Sequence, residues 1–264
     1  MFLILWLALA SPVSAESILA VFAHPDDETT VGPLLARYAA EGHTVRLLTL
    51  TSGQIGTANT KLKAGDELGA AREEELRCAC RGLGIGEPEL GRFMDGGVNT
   101  GPALEKMAQK VRQMFEQAKP DVVITWGPDG LTGHPDHRAA GAVATQVFQR
   151  QGLLPHKARK LYYVAYPESL FANFQSDNQI LKGLAAAISS RVVSDAFVTT
   201  VVDAGRYLDQ AQAAIRCHKT QWPPQQMQAM ADLNSKVLKG KVYLRLALSS
   251  KPLPRSLREK DILK

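Results

Sequence analysis

The chain has 264 residues, 45% hydrophobic and 22% charged, a balance that fits a globular protein and excludes disordered, collagenous and coiled-coil classes. That length buries a core without disulfides, and the three cysteines, Cys78, Cys80 and Cys217, are no disulfide framework because an odd number leaves at least one unpaired. The net charge of +5 is unevenly placed, with nine Lys or Arg against only Glu259 and Asp261 from Lys236 onward.

Residues 1–15 carry no charged side chain, and their apolar run is too short to cross a bilayer as a helix. It ends in Ser11-Pro12-Val13-Ser14-Ala15, with small residues at the two positions a signal peptidase reads. The expectation is an exported protein, periplasmic or secreted, cleaved near Ala15 and leaving residues 16–264 as one domain.

Residues 17–23 (SILAVFA) form a nearly continuous apolar run, as in a strand buried on both faces. The pattern predicts a helix over 31–41, a strand over 44–50, a helix over 64–81, a poorer strand over 90–93 and a helix over 103–118. Residues 121–126 (DVVITW) are short, β-branched and stopped by Gly127-Pro128, another buried strand. A helix over 137–150 and a strand over 161–165 follow. The last third predicts a strand over 197–202, a helix over 206–218 and a strand over 241–248, extending the same sheet.

Strands alternating with helices predict an α/β, Rossmann-like fold, a mostly parallel sheet covered by helices on both faces. In such sheets ligands bind beyond the carboxyl ends of the strands. The glycines at 82, 84 and 86 follow a helix instead of opening one after a strand, so they fail as a dinucleotide fingerprint. Cys78 and Cys80 fall on different faces of their helix, and the cysteines read as small buried thiols. The basic segment 236–264 reads as a solvated terminus, with weak contact to an anionic surface as the rival reading. Only Tyr243 interleaves it, so no nucleic-acid partner is expected.

Chemistry concentrates in two loops. His24-Pro25-Asp26-Asp27-Glu28 follows the first strand, and Gly133-His134-Pro135-Asp136-His137 follows the strand over 121–126. Neighbouring parallel strands would place these loops side by side. An H-x-x-D and an H-x-x-H loop supply enough nitrogen and carboxylate donors for a catalytic zinc, which takes three protein ligands and keeps a position open. They also leave a spare Asp and a spare His for proton transfer. Other divalent ions accept the same donors. Singly, each loop could be explained by helix capping through Asp27, Thr29 or Asp136. Two such loops at strand ends demand a role that compensates clustered charge.

AHPDDE after the first strand and GPDGLTGHPDH after the later one closely resemble the PIG-L/LmbE family of N-acetylglucosaminyl deacetylases. The glycine turn over 49–56 (TLTSGQIG), the helix segment LGAAREEE over 68–75 and His218-Lys219-Thr220-Gln221 are similar to further family segments. The resemblance implies that His24, Asp27 and His137 bind zinc and that Asp26 is the general base. It implies that His134 donates to the oxyanion, with Asp136 orienting its ring and favouring its charged form. Arg72 and Asp95 would contact the substrate, as would His218. Thr132 stands where some members have Tyr, which leaves the branch open.

The implied activity is hydrolytic removal of an N-acetyl group from a GlcNAc-containing sugar, glycan or glycoconjugate. Two rivals stand beside it: hydrolysis of a different N-acyl amide, and a non-catalytic metal- or sugar-binding protein on the same fold. Binding alone needs no base beside the ligand, which counts against the second.

Overall fold

The computed structural model describes residues 15–98, 100–252, 254 and 257–264; the expected signal segment before Ala15 lies outside the described residues. After Ser17 the first apolar run has no side chain that gains from water, and the chain places it at the middle of a sheet. In β1 (Ser17–Phe22) every residue from Ile18 to Phe22 is fully buried. Parallel neighbours flank it: β2 (Thr44–Thr51) on one side and β4 (Val122–Thr125) on the other. β3 (Glu89–Phe93) extends the sheet beyond β2, and β5 (Lys160–Val164) extends it beyond β4, both in parallel. Antiparallel β7 (Lys241–Ser249) and then β6 (Thr200–Asp203) close the far side, giving the order β3-β2-β1-β4-β5-β7-β6.

The order reverses between β1 and β4, the switch point of a doubly wound sheet. Crossovers are right-handed, so connections running one way along the sheet cover one face and those running back cover the other. Accordingly α1 (Gly32–Ala40) and α2 (Asp66–Leu83) pack together with α6 (Leu208–Ile215), while α3 (Gly101–Ala118) packs with α4 (Pro135–Gln149). At Gly141 on α4 a Cβ would lie 2.3 Å from the Trp126 carbonyl oxygen, so only glycine lets the helix approach the end of β4 this closely.

Departures from the sequence expectation cluster in the last third. Residues 195–197 form a 3-10 turn that leaves Phe197 52% exposed, and the strand starts only at Thr200. α6 stops at Ile215, so Cys217 and His218 lie past its end. Two helices have no counterpart in the expected pattern: α5 (Gln179–Ser189) and α7 (Pro224–Asp232). The Asn178 side chain caps α5 by accepting the Ile180 and Leu181 N–H groups, a readable signal. Gln-rich α7 buries only Met227 and Ala229, too little apolar surface to show a period.

The thiol reading needs correction: Cys78 and Cys217 form a disulfide across 139 residues, and Cys80 stays free and buried. Packing of α2 on α6 brings the pair together, which helix-face spacing alone does not reveal. The solvated-terminus reading also changes. Residues 241–249 are strand β7, and beyond it Glu259 pairs with Lys160 and accepts from the Tyr162 and Thr200 hydroxyls, while Ile262 is fully buried.

Candidate active site

The two motif loops leave the carboxyl ends of β1 and β4 at the switch point. His24 Nδ1 and His137 Nε2 lie 3.2 Å apart, and His137 Nε2 lies 3.1 Å from Asp27 Oδ1. His24 Nδ1 is 3.9 Å from Asp27 Oδ2. Donors on a tetrahedron with bonds of about 2.0–2.2 Å stand roughly 3.3 Å apart; the His24–His137 and His137–Asp27 pairs match that spacing, while Asp27 meets His24 through its other oxygen at a longer distance. Two overlapping groups bring one donor from each of three residues within 4.8 Å: His24 with His134 and His137, and His24 with Asp95 and Asp136.

The trio of His24, Asp27 and His137 is distinguished by how firmly its other atoms are held. His24 Nε2 meets Asp95 Oδ1 at 3.1 Å and Asp136 Oδ2 at 3.3 Å. Asp27 Oδ2 accepts the Ala23 and His24 N–H groups, each at 2.9 Å. His137 Nδ1 donates to the Gly130 carbonyl at 2.9 Å and lies 3.0 Å from Thr132 Oγ1, which turns Nε2 toward the cluster. Such contacts fix ring orientation and tautomer at a metal site.

Charge follows geometry. Burial opposes a charged His24, but Asp136, Asp95 and Asp27 outweigh it and push its pKa up to about 10. Burial likewise favours a neutral Asp27, yet His137 and His24 hold its carboxyl well below the usual range.

Asp26 has a φ of +125°, a region that costs a non-glycine residue about 1–3 kcal/mol. Its surroundings hold it there. Glu28 Oε2 accepts the Asp26 N–H at 3.0 Å, and the Asp26 carbonyl accepts the Thr29 hydroxyl at 2.6 Å. Arg72 Nη2 donates to the Pro25 carbonyl at 2.7 Å and to Asp26 Oδ2 at 3.2 Å. A Cβ at Gly53, where φ is +64°, would fall 2.2 Å from Arg72 Nη1, so glycine makes room for this arginine. Burial raises the Asp26 pKa to about 6, against the opposing pull of Arg72.

His134 is exposed and caps α4, its Nδ1 accepting the Asp136 N–H at 3.2 Å, so the proton of the neutral ring sits on Nε2. Burial and then the charge of His24 lower its pKa, more than Asp136 raises it. The expected role of Asp136 is therefore corrected. Its main-chain N–H orients His134, while its fully buried carboxylate turns inward to the Gly96 N–H, 2.8 Å away, and to His24.

A cavity of about 510 Å³ collects these groups: His24, Asp26, Asp27, His134 and His137 line it, with Arg72 and Asp95. Of the three expected substrate contacts, Arg72 and Asp95 line the cavity and His218 does not. Arg72 is 3% exposed and its donors go to Gly53, Pro25 and Asp26, so it aims the loop instead of standing free for a hydroxyl. Asp95 is tied to His24 and to the Ile55 N–H. His218 is fully buried against Glu28, 2.6 Å away, and does not line the cavity. Ile55, Trp126, Gln221, Trp222 and Met230 do line it and carried no assigned role in the sequence. Gln221 had a signal, its place in the quoted HKTQ segment; Ile55, Trp222 and Met230 had none beyond being apolar. A larger cavity of about 1020 Å³ adjoins, and Trp222 lines both.

Similarity to known proteins points the same way. The family model PIG-L, GlcNAc-PI de-N-acetylase, matches residues 19–148, which include both motif loops. The 1D-myo-inositol 2-acetamido-2-deoxy-alpha-D-glucopyranoside deacetylase 2 of Catenulispora acidiphila is 31% identical over 270 residues, covering 88% of this chain and 88% of its own. The N,N'-diacetylchitobiose deacetylase of Pyrococcus horikoshii superposes with a TM-score of 0.63 at 18% identity, covering 88% of this chain and 84% of that one. GalB, the 4-carboxy-2-hydroxymuconate hydratase of Pseudomonas putida KT2440, gives 0.62 at 17% identity, with 91% and 99% covered. At such identities the two structures establish the fold only, and one fold hosts different chemistries. The relationship in sequence goes further, and by it the chain belongs to the PIG-L family of de-N-acetylases.

Proposed function

We propose that the protein is a zinc-dependent deacetylase acting on a GlcNAc-containing small molecule, glycan or glycoconjugate, and that it works after export. One arrangement carries this reading: a base, a hydrogen-bond donor and a three-ligand metal set share the wall of a single cavity. His24, Asp27 and His137 would hold the metal, which when bound polarises the amide carbonyl and lowers the pKa of the attacking water.

The remaining work belongs to the chain. Asp26, poised near pH 6, accepts the proton of the water that attacks the acetamide carbon. The Nε2–H of His134 donates to the carbonyl oxygen as negative charge develops there. The protonated Asp26 then delivers its proton to the nitrogen, because an amide nitrogen leaves poorly as an anion. The Catenulispora relative is named as a deacetylase of an inositol-linked acetamido sugar, which supports an N-acetylated glucosamine unit as the carrier.

Export is supported by the apolar leader and its small-residue end. The Cys78–Cys217 disulfide adds support, since such bonds persist in oxidising compartments. A series of glucosamine amides with lengthening acyl chains tests the reaction. A sharp fall in kcat/KM beyond acetyl supports deacetylation, and a preference for long chains would replace it with a different N-acyl hydrolase.

A further inference from the structure

We infer that Glu28 and His218 are positioning residues: their buried pair holds the Asp26 backbone and so aims the base, an inference that rests on the proposed role of Asp26. Both side chains are fully buried, and neither lines the cavity. His218 Nε2 lies 2.6 Å from Glu28 Oε1, while the other oxygen, Oε2, accepts the Asp26 N–H at 3.0 Å. One carboxylate thus bridges a histidine 190 residues along the chain from it and the aspartate with a φ of +125°. An unfavourable backbone conformation persists only where its surroundings over-determine it. Losing the acceptor frees the Asp26 amide, and the backbone relaxes toward an ordinary φ with its carboxylate turned off line.

His218 is held in turn by one stripe of α2. Arg72, Glu75 and Cys78 follow one another at intervals of three and share a helix face. Arg72 grips Pro25 and Asp26. Glu75 accepts the Thr220 N–H at 2.8 Å and the Thr220 hydroxyl at 2.7 Å. Cys78 is bonded to Cys217, the residue before His218. The same helix therefore clamps both the base loop and the segment that carries His218. The His218 carbonyl also accepts the Gln221 and Trp222 N–H groups, each at 3.2 Å, and both residues line the cavity. Its ring is tied to the base and its backbone to the cavity wall.

A buried ion pair can be purely structural; what sets this one apart is the bond from its second oxygen to the base. The test compares zinc-loaded wild type, His218→Leu, His218→Gln and Glu28→Gln by amine release, bound zinc and hydrogen exchange of the Asp26 amide. In His218→Leu, kcat falls about 10- to 100-fold at unchanged KM and zinc content, as for loss of an outer-shell partner, and the Asp26 amide exchanges faster. Glutamine places its amide nitrogen near the Nε2 position, so His218→Gln recovers most of both readouts. Unchanged kcat and exchange in a folded His218→Leu would overturn the inference, as would equal losses in the Leu and Gln variants. Should His218→Leu not fold, the near-isosteric Glu28→Gln decides, because one amide oxygen cannot replace two carboxylate oxygens. Faster Asp26 exchange with lower kcat supports the inference, and no change in either overturns it. A wild type that releases no amine would sink the proposed reaction, while exchange at Asp26 would still report on the positioning.

Discussion

The Trp126 indole lies flat on the His137 imidazole, with ring centres 4.8 Å apart and planes 8° from parallel. Its Nε1 donates to Asp27 Oδ2 at 3.3 Å. One buried side chain thus steadies two of the proposed metal ligands, by stacking and by hydrogen bonding. Trp126 also meets Phe22 of β1 at 4.7 Å between ring centres, so the sheet core sets its position.

Trp126→Phe keeps an aromatic face against His137 and removes the donor to Asp27. Zinc affinity then drops about tenfold, the lower end for loss of an outer-shell partner. Competition against a chromophoric chelator measures it. An unchanged affinity would show that the indole N–H contributes nothing to the ligand set.

Zinc binding should release protons. His24 in the metal-free protein has its pKa raised from 6.5 to about 10, so its contacts with Asp136 and Asp95 contribute full stability below pH 6.5 and lose it as pH rises through about 10. A metal needs the neutral ring, so apparent zinc affinity climbs with pH over that window. Calorimetry near pH 8 in two buffers of different ionisation enthalpy should report about one proton or more released per zinc. Zero release would mean that His24 is already neutral.

His134→Asn separates capping from catalysis. Asn is among the best N-cap residues, so it preserves the bond to the Asp136 N–H and the stability of α4. It lacks the Nε2 donor, and kcat falls on the order of 10²–10³-fold, the usual cost of losing one oxyanion donor. Thermal melting and steady-state kinetics on the same preparation check both halves; a variant with near-normal kcat would remove His134 from the chemistry.

The disulfide closes a loop of 139 residues and should contribute about 3–5 kcal/mol of stability by restricting the unfolded chain. Urea unfolding of wild type and Cys217→Ser, with and without reductant, measures it. Burial also pushes the Cys80 thiol up, so an alkylating reagent should leave Cys80 unmodified until the protein unfolds. Reductant that leaves the midpoint unchanged would count against the bond.

How much of this was legible in the sequence follows from how local each cause is. The runs over 17–23 and 121–126 are buried on both faces, so composition alone marks them as inner strands, and the two motif loops follow directly. Spacing brought the two loops together, because parallel neighbours place equivalent strand ends side by side; the choice of His24, Asp27 and His137 within them came only from the family resemblance. The destinations of Arg72 and His218 could not be read from either. Both lie on or beside helices whose packing, α2 on α6, ties Arg72 to the base loop at the cavity wall and buries His218 behind it. Asp136 misled for a related reason: at the first turn of α4 its N–H and its carboxylate point to different partners. Glu28 stood within the quoted motif without a role, because its partner lies 190 residues away.

The most direct test of the account is free amine released from a panel of N-acetylglucosamine substrates by the zinc-loaded chain beginning at Glu16, with Asp26→Asn beside it. The account predicts release by the wild type, a loss of about 10²–10⁴-fold in the variant, and the same bound zinc in both, because Asp26 is a base and not a ligand. A variant that binds zinc and keeps wild-type activity would contradict the assignment of Asp26. A wild type that binds no metal would contradict the account at its centre.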